Sequence, residues 1–214
     1  MDQTARMVAL LGRLRREMNG VVADALNDNL PVQVRYGLNL GLSIPTIRLI
    51  AKEEGRDHAF AKYLYLQDVR ELRMVALSMA DPKQVTAEEL PFWMQGRMPI
   101  ELIEELALVL FSRTQVLPAL LPWLERPEPS LVYVAMMALS RGAEYSHVDA
   151  VSATRKALTA HSESRLVAQG AVTLLTSLAN FADSRPAVLA LTDALDQSTV
   201  ECYVREEMAW RVPR

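Results

Sequence analysis

Three glutamates lie close behind a proline, in the run Pro99-Ile100-Glu101-Leu102-Ile103-Glu104-Glu105. Pro99 suits the opening of a helix, because the N–H it lacks would be unpaired there anyway. Ile100, Ile103, Leu106, Ala107 and Leu110 form the expected inward stripe, so Glu101, Glu104 and Glu105 lie on the other sides. The first turns of a helix favour carboxylates through the helix dipole, which accounts for them without chemistry. Cations come earlier in the chain. Arg48 and Lys52 are four apart, and Arg70 and Arg73 three apart, so each pair shares a helical face. Such a stripe contacts phosphate, or it pairs with Glu53, Asp68 and Glu71 as a solvated, salt-bridged face. Arg13, Arg15 and Arg16 decorate the first helix in the same way.

Other chemistries find little support. The three histidines, His58, His147 and His161, are far apart in sequence and lack ligand spacing, and Cys202 is the only cysteine. No metal site is expected, and no disulfide can form within the chain. A reducing cytoplasm is the natural compartment for such a chain. No phosphate loop, no GxSxG and no Ser/His/Asp set is present, and the glycines of GLNLG follow no strand. No cofactor is implied. The longest uncharged run, Leu166–Ala182, contains Gln169, Thr173, Thr176, Ser177 and Asn180, and reads as a buried helix rather than a membrane span. The N-terminal stretch lacks the apolar core of a signal peptide.

The elements that position these residues are helices. The chain has 214 residues, half of them apolar, with few aromatics (6%) and a net charge of −3. Leu, Ala, Val and Met supply the core, a mix that favours helix packing over a β-sandwich. Acidic balance lowers the expectation of tight, non-specific nucleic-acid binding, although a local basic stripe suffices for DNA. Residues 4–28 carry Met7, Leu10, Leu11, Leu14 and Met18 at helical spacing, with Gly20 as a break. QVRYGLNLGL, residues 33–42, reads as irregular. Ser43 caps a helix ending at Gly55, and Asp57 caps a short one carrying Phe60, Ala61 and Leu64. Val69, Leu72, Ala76 and Met79 define the next, with Arg70 and Arg73 off its apolar stripe. Thr86 to Glu89 is a capping box leading to Phe92 and Trp93, and Gly96 breaks that helix. A short helix is expected near 115–124. LVYVAMMAL, residues 131–139, is uncharged on every face and should be central. Further helices are expected near 146–160, 163–181, 185–195 and 198–210. Trp93 and Trp123 fall on apolar stripes and are expected in the core. No segment alternates like a strand. The reading is all-α, with antiparallel helix pairs stacked as a HEAT-like superhelix in one domain, residues 1–214, without an internal linker.

Two stretches carry a family resemblance. Leu40-Gly41-Leu42-Ser43-Ile44-Pro45-Thr46-Ile47-Arg48 resembles the LG-x-x-x-P-x-x-R segment of the bacterial DNA alkylation repair family. LYLQDVRELRMVAL, residues 64–77, resembles its next helix, with Glu71 in the acidic position. Leu90-Pro91-Phe92 resembles the helix after that, and the likeness covers about residues 35–140. It implies a HEAT-like superhelix with a concave DNA-facing surface. Characterised members excise 3-methyladenine and 7-methylguanine, holding the cationic base against Trp faces while an Asp carboxylate assists its departure. Residue by residue, Glu104 matches the catalytic carboxylate and Glu101 the acidic residue before it. The family's two Trp positions become Pro99 and Ile100. An expected Arg becomes Val134, and a later Trp falls near Leu174, with Trp210 as a substitute. The resemblance therefore implies an alkylated-purine glycosylase using Glu104, with Arg48, Lys52, Arg70 and Arg73 on DNA. The alternative is a catalytically silent scaffold that binds DNA structures or a protein partner.

Overall fold

The computed structural model describes residues 2–213. The regular elements among those residues are all helical, and the one β feature among them is an isolated parallel bridge between Leu38 and Val69. No helix among them is long and apolar enough to cross a membrane. Contacts divide the chain into two compact units with the boundary between Leu110 and Phe111.

The first unit opens with α1 (Gln3–Arg16) and α2 (Gly20–Asp28), broken near Gly20 as the sequence expects. The side chain of Asn19 caps α2 by accepting the Val22 N–H. Of the apolar set on α1, Leu10 and Leu14 are buried, whereas Met18 beyond it is exposed. Three helices follow: α3 (Ile44–Glu54), α4 (His58–Tyr65) and α5 (Arg70–Met79). Ser43 and Asp57 cap α3 and α4 through Thr46 N–H and Phe60 N–H. Gly55 ends α3 with a φ of +80°, a conformation that L side chains rarely adopt. Helix α5 packs against both α3 and α4 and buries nearly every residue it has. Beyond it come a 3-10 turn (Ala87–Glu89), α6 (Leu90–Trp93) and α7 (Ile100–Glu105), which passes directly into a π turn (Leu106–Leu110). Trp93 is fully buried, as expected of its apolar stripe.

The second unit begins with 3-10 turns at Phe111–Arg113 and Leu117–Glu125, the latter holding Pro122, whose missing N–H suits irregular winding. Then come α8 (Pro129–Leu139), α9 (His147–Ala160), α10 (Arg165–Leu178), α11 (Arg185–Asp193) and α12 (Thr199–Arg211). The uncharged α8 buries Val132 to Met136, Ala138 and Leu139 and packs on α10. Gly170 of α10 makes that approach possible, since a Cβ there would lie 3.0 Å from Met136 Sδ and from the Tyr133 ring. Trp123 is half-buried and meets Phe111 edge-on at 6.1 Å.

Candidate nucleic-acid interface

The irregular segment before α3 is an interior strap. Tyr36, Asn39, Leu40, Gly41 and Leu42 are all buried. Burying this much loop backbone requires partners for its polar groups. Leu38 N–H donates to the Asp68 carbonyl and Arg70 N–H to the Leu38 carbonyl, each at 2.9 Å. Glu71 takes the rest: its carboxylate accepts Leu40 N–H at 3.0 Å and Leu42 N–H at 3.3 Å. Gly41 is required where the strap passes α2. Its φ is +74°, and a Cβ there would lie 2.1 Å from the Asn19 carbonyl oxygen. The acidic position of the resemblance thus has a folding role.

A fully buried carboxylate needs a counter-charge, and Arg70 provides it. Its guanidinium donates to Glu71 Oε1 at 2.9 Å and to the Leu42 carbonyl at 2.8 Å, and it also holds Glu101 on α7. Burial works against the Arg70 charge, but Glu101 and Glu71 outweigh it and raise its pKa further. The Tyr36 hydroxyl lies in the same charged surroundings, without a hydrogen-bond partner, and burial followed by Glu101 pushes its pKa well up.

Arg73, one turn along α5, serves a different loop. It donates to the carbonyls of Arg97 and Gln95 and to Met98 Sδ, and lies 4.5 Å over the Tyr65 ring. Burial pushes the Tyr65 phenol up to about 12 against the pull of that arginine.

The expected surface stripe of four cations is therefore not formed. Arg70 and Arg73 are 3% and 4% exposed and are committed to the strap, to Glu101 and to loop carbonyls. A repeat helix that is buried all round places even its polar residues inside, which apolar spacing alone did not reveal. Arg48 and Lys52 are at the surface. Arg48 reaches across from α3 to Glu105 on α7 at 2.6 Å. Burial raises the Glu105 pKa, Arg48 opposes that rise, and Glu101 and Glu104 add to it.

On α7 the three glutamates are half-buried. Glu101 is paired with Arg70 and Glu105 with Arg48, and Glu104 lies between them in sequence. Pro99 is buried, and Ile100, expected inward, is 41% exposed because it lies on the outer side of the first turn. The position where the resemblance expects an aromatic wall is thus aliphatic. In the second unit Val134 and Leu174 are both core residues, and Trp210 on α12 is 89% exposed. Sequence reasoning passed over Arg97 and Tyr36. Arg97 follows Gly96, whose positive φ turns the chain between α6 and α7. A cation beside a turn glycine is the signal that was available.

No family model matches the chain, and no curated protein matches it. Among solved structures, one is similar over 99% of this chain and 96% of its own, with a TM-score of 0.72 and 12% identity. It is described as representing a new family of proteins related to the HEAT-like repeat DNA glycosylases, with affinity for branched DNA structures. The fold of this chain is therefore the HEAT-like repeat fold of the glycosylase-related proteins, all-α, with stacked helix pairs.

Proposed function

We propose that the protein binds DNA through the surface that joins α3 and α7, with branched DNA as its preferred form, and that it does so without excising a base. The observation that carries this reading is the pairing of the acidic helix with arginines. An unpaired row of carboxylates would repel phosphate. Here Arg70, shared with Glu71, also holds Glu101, and Arg48 holds Glu105, so the charge of the row is partly offset. Lys52 stays at the surface, and Arg48, itself exposed, can exchange Glu105 for phosphate. The similar structure, whose family has affinity for branched DNA, supports the choice of ligand. The aliphatic Pro99 and Ile100 speak against holding a cationic base, which aromatic faces attract and aliphatic ones do not.

Glu104 keeps the excision reading testable. Binding of a four-way junction and of a linear duplex of matched sequence is measured at low salt. Release of 7-methylguanine from methylated duplex is measured for the wild type and Glu104→Gln. The expected result is tighter binding to the junction and no release by either protein. Release that disappears in Glu104→Gln would replace this reading with a glycosylase. No binding to either DNA would leave a protein partner as the ligand.

A further inference from the structure

A second polar feature of the first unit has no part in the surface just described. The turn between α4 and α5 and the turn between α6 and α7 enclose a cleft of about 260 Å³, lined among others by Tyr65, Asp68, Arg73, Gly96 and Arg97. Arg73 is 96% buried by its 4% exposure, and its partners are two carbonyls, a thioether and a phenol ring. All of these are neutral, so none cancels its charge. Its Nε–H meets no acceptor. A buried donor left unpaired is costly and calls for an explanation.

Arg97 stands at the rim, with its side chain 49% exposed. It donates to the Arg35 carbonyl at 2.9 Å and pairs with Asp68 at 3.2 Å. Asp68 is itself half exposed, and a pair this open to water is weak and readily exchanged. Asp68 and Val69 lead into α5, so the partial positive charge of that helix's N-terminal end lies close to Asp68. The cleft thus combines a fixed buried guanidinium, an exchangeable one and a helix end, against one carboxylate.

We infer that this cleft seats a backbone phosphate of the bound DNA, with Arg97 leaving Asp68 for the phosphate and Arg73 supplying fixed charge beneath it. The inference rests on the DNA-binding reading above. Asp68 occupies Arg97 when DNA is absent. An arginine matches a phosphate in two-point geometry, which a single contact to one carboxylate oxygen does not.

The test uses two substitutions that break the same ion pair, Arg97→Ala and Asp68→Asn. Arg73 is left intact because it pins the 95–98 loop. Junction affinity is measured over a salt series, with circular dichroism as the check on folding. Arg97→Ala should weaken binding and lower the slope of log K against log salt by up to about 0.9, the share of one full phosphate contact. Asp68→Asn should tighten binding a few-fold, because it frees Arg97. The exposed pair Lys156–Glu125, joined at 2.8 Å in the second unit, gives controls of the same charge change in Lys156→Ala and Glu125→Gln. Those should move affinity much less. Substitutions at Arg97 and Asp68 that shift affinity in the same direction would mean the pair only braces the turn. Shifts equal to those at Lys156 and Glu125 would mean bulk charge alone. Either result overturns the site while leaving DNA binding in place. A wild-type protein that binds no DNA overturns the DNA reading and this inference with it.

Discussion

Glu105 shows how burial and pairing compete at one side chain. Its carboxylate is 12% exposed, whereas the Arg48 that meets it is 53% exposed. A guanidinium that is mostly solvated is screened and returns less than the desolvation of the carboxylate removes. The pKa is therefore held above the ordinary 4.5 by burial, with Arg48 pulling the other way. A carboxyl raised in this way binds its proton more readily in the folded chain than in the unfolded one. Between 4.5 and the folded value the folded state holds more protons, so its stability falls as pH rises. Asp57 has the opposite sign: Phe60 N–H and then Arg6 lower its pKa. Burial opposes the same shift at Glu89, but Lys62 and His58 outweigh it. The stability those two groups give is present above their ordinary values and lost as pH falls through the folded ones. Glu105→Gln keeps the shape and removes the titration. Relative to the wild type it should gain stability as pH rises from about 4.5 towards neutrality, and gain none below about pH 4. Urea midpoints across a pH series measure this. A difference that does not change with pH would show that burial does not govern Glu105.

At the scale of elements, the strap over residues 36–42 and helix α5 are joined by one carboxylate. Glu71 is fully buried and holds Leu40 N–H, Leu42 N–H and Arg70 together. Removing it leaves two buried strap N–H groups without their acceptor, and leaves Arg70 with Glu101 as its remaining carboxylate. Each buried polar group left unsatisfied costs about 1–3 kcal/mol. Glu53 gives the contrast. It meets Arg13 on α1, but its side chain is 55% exposed, and a pair in that setting contributes at most about 1 kcal/mol. Glu71→Ala should therefore lower the urea midpoint several times more than Glu53→Ala, with little change in the denaturant slope. Comparable effects from the two would mean that water reaches the strap and relieves its backbone. The comparison also separates what was legible in the chain from what was not. The caps at Ser43 and Asp57, the stop at Gly55 and the buried α8 follow from residues within a turn of one another. The interior placement of Arg70 and Arg73 depends on carbonyls at Leu42, Gln95 and Arg97, more than twenty residues away. No periodicity in α5 announces such partners, and an arginine three residues from another reads as a surface stripe.

At the scale of the molecule, charge limits how DNA can be held. The net charge is −3, so attraction must come from local groups rather than from an overall field. Many cations are already committed: Arg6 to Asp57, Arg13 to Glu53 and Glu54, Lys62 to Glu89, and Arg70 to Glu71 and Glu101. Arg48 can turn to phosphate only by giving up Glu105, and Arg97 only by giving up Asp68. Each such exchange returns less than a contact from an uncommitted lysine. The salt dependence of binding should therefore be shallow. A protein making six phosphate contacts loses about a thousandfold in affinity between about 50 and 200 mM salt. This protein should lose clearly less on a four-way junction, and the preference for junction over duplex should persist across that range, since shape rather than counterion release would carry it. Titrations of both DNAs at the two salt concentrations decide the matter. A loss of a thousandfold or more, equal for junction and duplex, would mean that a broad basic surface holds the DNA and that the exchangeable pairs on α3, α7 and the α4–α5 turn are bystanders.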